Sequence, residues 1–483
     1  MRMLRRVGIV VLVMAASAAG LPAKIYIQWT QSSMPAPRVL GVSNLVIPWS
    51  DEAQSLLANA KKQGYRVYWE ATLAQSQAVA EASANSGVAG LMLQGSTAEE
   101  TQLEEAASKL RVKYPKLKIM VLSGAGKQPE MRGWLVFQRD GILQVSSPTS
   151  QPWLDQNLSM VRYERAFERG QAPLYSFSWD VSDPLIKENG PNPGSYALAV
   201  AEAGAFHADL VLQLHEAQQK GLATGDPQTL EDWARVRRTI SFYERGDGEK
   251  EAAAVAVLAD DYDTCYEEIN LMARHNIPFQ VFESAEVKGQ DLAGFSVVIA
   301  FAALGSELTK QIQAFAQQGG TAVLTNLPGN YPWDSDSGGK KTDHAVTYTV
   351  GKGRVIELGE QVSDPESFAQ DIRRLMVKQQ VPVSLWNSLT TLVAEYPGNK
   401  PGEASVELVN YDEEPTDVQV QVRGNFVSAR YENPERGCCQ ELKLSHVDGF
   451  TDFVVPNVVS GGRVHLSTAG NQKPEARPTR SGE

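Results

Sequence analysis

Short apolar runs alternate with amphipathic stretches through the first half of the chain. The runs, rich in Val, Ile, Leu and aromatic residues, fall at 25–29, 44–48, 66–71, 88–94, 118–123, 142–147, 173–178 and 209–215. Such runs are expected of strands covered on both faces, as in a parallel sheet sheathed by helices. Helix signals lie between them. Ser50-Asp-Glu-Ala carries cap chemistry and its helix closes at Gly64, Thr97-Ala-Glu-Glu repeats the pattern, and Asp226-Pro-Gln-Thr sets proline at a first helical position. Strand–helix units repeated over roughly 220 residues predict a (β/α)8 TIM barrel. An open doubly wound sheet would normally carry a glycine-rich first turn, and none follows residues 25–29.

The rhythm changes after a charged hinge at 244–251. Fresh apolar runs at 254–258, 279–282, 296–301 and 322–325, with a helix over 306–317, predict a small parallel α/β domain. Beyond Val381, alternating segments at 406–409, 418–422 and 450–455 predict a C-terminal β-sandwich. The expected organisation is a leader at 1–23, a barrel at 24–246, an α/β domain at 252–377, a sandwich at 381–468 and a disordered polar tail at 469–483.

Arg2, Arg5 and Arg6 precede an apolar run from Val7 to Ala19, with small residues suited to cleavage after Ala18 or Ala23. This reads as an export signal, too short for a comfortable membrane span, and predicts a periplasmic or secreted mature chain free of the membrane. The net charge of −12 opposes nucleic acid and anionic lipid as partners. Cys265 reads as a lone thiol in a helix. Cys438 and Cys439 read as strand neighbours facing opposite ways, with a vicinal disulfide as the alternative. The scattered histidines show no metal spacing, so no cofactor or metal is expected.

The order of barrel, α/β domain and sandwich on an exported chain resembles secreted glycoside hydrolases of the β-galactosidase type. The middle segment resembles the glutamine-amidotransferase-like trimerization domain of that group through Ala254-Val-Ala-Val-Leu, Phe295-Ser-Val-Val-Ile-Ala, Phe315-Ala-Gln-Gln-Gly-Gly-Thr-Ala-Val-Leu and Gly351-Lys-Gly-Arg-Val-Ile. That resemblance implies a homo-oligomer built through the middle domain and an oligo- or polysaccharide as partner. Amidotransferase chemistry is not expected. It needs an activated cysteine on a strand-to-helix elbow, where this chain has Ala302-Ala-Leu-Gly.

Barrel chemistry gathers at the C-terminal strand ends. There the sequence places Trp29, Trp49, Glu70, Gln94, Trp179, Asp180, His215 and Glu216. Trp29, Trp49 and Trp179 are candidate walls for sugar faces, with Gln94 and His215 as further binding residues. Glycoside hydrolysis needs two carboxyl groups flanking the bond. Glu70 is the expected acid/base, with Asp180 or Glu216 as its partner. The barrel clan that the chain resembles places glutamates after strands four and seven. Here those ends carry Gln94 and Trp179-Asp180, and glutamine cannot protonate a leaving group. A catalytically silent carbohydrate-binding or scaffold barrel is therefore the alternative reading.

Overall fold

The computed structural model describes residues 23–50, 53–95, 99–122, 132–133, 156–167, 172–177, 190–244, 250–334, 339–412 and 414–469. The first sheet comprises β1 (Ile25–Gln28), β2 (Asn44–Pro48), β3 (Arg66–Thr72), β4 (Gly90–Gln94), β5 (Lys118–Leu122), β6 (Arg132–Gly133), β7 (Leu174–Phe177) and β8 (Asp209–Gln213). Its order is β5-β4-β3-β2-β1-β8-β7-β6, and every pairing is parallel. Helices follow the strands, as in a TIM barrel. The expected strand at 142–147 lies outside the described residues, and β7, paired on one side with β8, meets the short β6 on the other.

The barrel wall sorts side chains by a period of two. Ile25, Ile27 and Trp29 point outward into the layer shared with the helices. Tyr26 points inward, where it packs with Val46, Tyr68, Met92, Met120, Leu122, Leu174 and Val211. Gly90 belongs to that interior. A Cβ there would lie 2.5 Å from the Lys118 carbonyl and 2.8 Å from the Tyr68 ring, so only glycine leaves room for the tyrosine. At the N-terminal end, Asp209 accepts a hydrogen bond from the Lys24 backbone at 2.8 Å, closing the floor with polar contacts.

The middle domain holds β9 (Val255–Leu258), β10 (Phe279–Phe282), β11 (Val297–Ala300), β12 (Thr321–Thr325), β13 (Lys340–Lys341), β14 (Ala345–Val350) and β15 (Gly353–Leu358). The order is β10-β9-β11-β12-β15-β14-β13, with β14 antiparallel to both neighbours. The sheet is therefore mixed rather than wholly parallel. The 351–356 stretch is the second arm of a hairpin turning at Gly351, whose φ of 58° suits glycine, and the half-exposed β14 lacks the continuous apolar signal of its neighbours.

Two antiparallel sheets form the sandwich. One holds β16 (Val383–Leu385), β19 (Thr416–Arg423), β22 (Ser445–Val447) and β23 (Phe450–Val458). The other holds β17 (Thr391–Pro397), β18 (Glu403–Asn410), β20 (Ser428–Asn433), β21 (Gly437–Glu441) and β24 (Gly461–Ser467). Cys438 and Cys439 do not face opposite ways. They form a disulfide with each other across a cis peptide, on an exposed edge strand where no buried face holds adjacent side chains apart. Cys265 is buried at the cap preceding the helix Tyr266–Arg274 rather than inside it. Burial pushes its thiol far up, so it offers no nucleophile. No helix among the described residues is long and apolar enough to cross a membrane.

The three parts share a core. Sandwich residues Leu392, Ala394, Tyr396 and Tyr411 pack in the same cluster as the barrel helices and the middle-domain residues Ile269 and Phe279. Its polar centre is Glu202, fully buried on the helix Pro193–Ala205. Its carboxyl group accepts from the Asn157 backbone at 3.0 Å, the Asn157 amide, the Tyr175 hydroxyl at 3.2 Å and the Tyr411 hydroxyl of the sandwich. Removing the last donor in Tyr411→Phe is expected to cost about 1–3 kcal/mol in chemical denaturation. An unchanged midpoint would mean that this bond does not join sandwich to barrel.

Glu395 of β17 is also buried, and its Oε2 has no hydrogen-bond partner among the described residues. Burial pushes its carboxyl from the ordinary 4.5 up to about 8, against a partial pull from Arg423. The folded state therefore holds this proton more tightly than the unfolded chain. The stability it contributes is full below about pH 4.5 and is lost as pH rises through about 8. Glu395→Gln should melt higher than wild type at pH 8–9, with the gain shrinking toward zero near pH 4. An equal gain at both pH values contradicts the assignment.

Candidate active site at the barrel mouth

The two-residue period decides which side chains reach the mouth. Counting inward from Tyr26, Tyr68, Met92 and Val211, the next inward positions toward the C-terminal ends are Gln28, Glu70, Gln94 and Gln213. Strand register sets them at nearby heights. Gln28 is level with Gln213, Glu70 with Pro48 and Met92, and Gln94 with Thr72 and Leu122. Gln28 and Glu70 stand on strands separated by β2, yet the Gln28 Nε2 donates to Glu70 Oε2 at 2.5 Å. Pro48, between them, carries no polar side chain to intervene.

Glu70 is 8% exposed. Burial raises its pKa above the ordinary carboxylate value, and the hydrogen bond from Gln28 pulls it partly back. An amide donates a hydrogen bond without supplying a positive charge, so it does not offset the desolvation of an ionised carboxylate as a cation would. A carboxyl group in this setting holds its proton more tightly than an ordinary carboxylate, which suits a general acid.

The other expected site residues are distributed differently. Gln94 takes the next inward position above Met92, the residue level with Glu70. Glu216 is the exposed first residue of the helix Glu216–Thr224, where a negative charge favours the helix N-terminus. His215 caps that helix, its Nδ1 accepting from the Ala217 backbone at 3.3 Å, while its own backbone N–H donates to the Tyr196 hydroxyl at 3.1 Å. Trp179 and Asp180 lie outside the described residues.

Trp29 is not a wall of the mouth. It is fully buried on the outward side, and its indole N–H donates to the carbonyls of Gln31 and Ser33 at 3.0 and 3.1 Å. The cause is parity, since its neighbour Gln28 takes the inward position. Trp49 is half-buried and meets the buried Trp69 edge-on at 5.0 Å between ring centroids. Gln28 and Gln213 lie inside their apolar runs, one and two residues before the run ends at Trp29 and His215. Counting alternate positions from Tyr26 and Val211 would have found both.

Among the described residues, the one group of three possible metal ligands is Glu432 with Cys438 and Cys439, on the sandwich, and its two sulfurs are bonded to each other. No buried Asp, Glu, His or Cys cluster suited to a metal occurs at the mouth among those residues.

No protein-family model and no curated protein matches the sequence. Solved structures do match its fold. α-L-Fucosidase isoenzyme 2 from Paenibacillus thiaminolyticus aligns over 93% of this chain and 100% of its own, with a TM-score of 0.59 and 11% identity. A catalytic mutant of a GH42 β-galactosidase from G. stearothermophilus aligns over 94% and 99%, with a TM-score of 0.57 and 9% identity. β-Galactosidase from Bacillus circulans sp. alkalophilus aligns over 94% and 99%, at 0.51 and 11%. At these identities the likeness establishes the fold alone, consistent with a TIM barrel followed by a β-sandwich.

The parity assignment separates structural from site residues. Trp29→Ala should destabilise the chain by about 3–5 kcal/mol through the cavity it leaves. Gln94→Ala should stay within about 0.5 kcal/mol of wild type, as a change away from core packing does. Thermal melts of both variants check this, and a reversed order would contradict the assignment of inward and outward faces.

Proposed function

We propose that the protein is an exported, carbohydrate-acting barrel that hydrolyses a glycosidic bond at its mouth, with Glu70 as the general acid. The observation that carries this reading is a buried carboxyl group of raised pKa, hydrogen-bonded by Gln28 in the inward layer. The fold shared with a fucosidase and β-galactosidases supports carbohydrate as the substrate class. In the reaction, protonated Glu70 gives its proton to the glycosidic oxygen as the bond to the anomeric carbon breaks. A second carboxylate, Asp180 or Glu216, either attacks that carbon or removes a proton from the attacking water. Gln28, Gln94 and Gln213 offer both donors and acceptors to sugar hydroxyls. No cofactor enters this scheme.

The amino-terminal pattern of basic, apolar and small residues supports a periplasmic or secreted location. The middle domain serves structure rather than amidotransfer, and it is the surface through which copies of the chain would associate.

A second reading, a silent carbohydrate-binding barrel, is favoured by the amides Gln28, Gln94 and Gln213 on inward positions, since none of them can transfer a proton at ordinary pH. Hydrolysis of a panel of aryl glycosides and polysaccharides separates the two. Wild type should release sugar, and Glu70→Gln should lose about 10²–10⁴ of the rate, the usual worth of a general acid. The wild-type rate should fall as pH rises through the raised pKa of Glu70, because the acid form is the active one. Glu216→Gln and Asp180→Asn identify the partner. No release across the panel, with calorimetric sugar binding intact, would favour the silent barrel.

A further inference from the structure

A separate cavity lies where the barrel meets the middle domain, and it shares no residue with the mouth. It has a volume of about 250 Å³ and opens to solvent between the helix Leu158–Phe167, the connection at 250–251 and β10. Its charged lining is Arg162, Arg165, Lys250 and Glu251, with Phe279 and Gln280 among the remaining walls. In a chain of net charge −12, this lining sets three cations against one carboxylate.

That carboxylate is already engaged. Arg162 is buried, binds Glu251 through Nε and Nη2, donates from Nη1 to the Ile277 carbonyl at 3.2 Å, and lies over the Phe279 ring at 4.6 Å. Arg165 makes a longer 3.5 Å contact with the other Glu251 oxygen, and its second nitrogen donates to the Phe206 carbonyl. Glu251 thus serves two guanidinium groups. The Lys250 ammonium lies 5.5 Å from the centroid of the Phe282 ring, and packing around it lowers its pKa. Asp291 acts on it from outside the lining, while the Asp291 carboxylate accepts from the Lys288 backbone at 2.8 Å.

We propose that this cavity binds a small anion bearing carboxylate or phosphate oxygens. Lys250 and Arg165 meet the oxygens, Gln280 supplies an amide hydrogen bond, and Phe279 forms an apolar wall. The cationic surplus sets the charge of the ligand. The volume of about 250 Å³ suits a small ligand. An anion here touches a barrel helix and a middle-domain strand together, so binding stabilises their junction by mass action.

The test is calorimetric titration of the full chain at low ionic strength with inorganic phosphate and, separately, with malonate. Lys250→Glu and Arg165→Gln are titrated alongside, after their melting curves without added anion confirm folding. Saturable one-to-one binding of either probe, weakened at least tenfold in Lys250→Glu and also reduced in Arg165→Gln, supports the site. Preference between phosphate and malonate then identifies the oxyanion. Failure of both probes to saturate, or binding undiminished in Lys250→Glu, overturns it.

Discussion

A barrel wall lined by helices outside and packed with side chains inside gives each strand only every second residue for its mouth. That constraint governs this molecule. Once Tyr26, Tyr68, Met92 and Val211 fill the interior, Gln28, Glu70, Gln94 and Gln213 must face the opening. The alternate positions, including Trp29 and Trp69, go to the helical layer and bury there. A shift of one residue would exchange the two sets, placing indoles in the mouth and amides in the apolar layer. The apolar demands of both layers therefore protect the polar composition of the site.

The electrostatics of the mouth follow from that sorting. Glu70 is removed from water and meets the Gln28 amide, which can orient the carboxyl group but supplies no charge. Buried carboxyl groups elsewhere are held differently. Glu407 lies against the buried guanidinium of Arg463, and Glu202 accepts from Asn157, Tyr175 and Tyr411 at once. Those contacts lock parts of the chain together, the first within the sandwich and the second between barrel and sandwich. Glu70 has the less heavily committed setting, suited to giving up a proton when a substrate arrives.

Much of the fold was legible from runs and breaks. The parallel strands announced themselves as continuous apolar runs, and Asp226-Pro-Gln-Thr set the start of the helix Pro227–Tyr243, with the Asp226 side chain accepting from the Thr229 backbone at 2.8 Å. The hairpin strand β14 was hidden because its Thr and Tyr residues are half-exposed and carry no dense apolar signal. The site was legible in part. Glu70 and Gln94 stand at strand ends and on inward positions, so either criterion selects them. Gln28 and Gln213 are the last residues of β1 and β8, but the apolar runs continue past them to Trp29 and His215, so the strand ends read from the sequence fall one and two residues too late. The Glu202 hub was invisible, because Asn157, Tyr175 and Tyr411 meet through long-range packing that no local pattern records.

The central claim is that the barrel mouth holds a buried carboxylic acid that keeps its proton above the ordinary carboxylate range. Difference infrared spectroscopy of wild type against Glu70→Gln, followed through a pH titration, measures that state directly. A protonated carboxyl band that persists above the ordinary glutamate range and is absent from the variant is the predicted result. A Glu70 signal that titrates at or below the ordinary glutamate value would contradict the account.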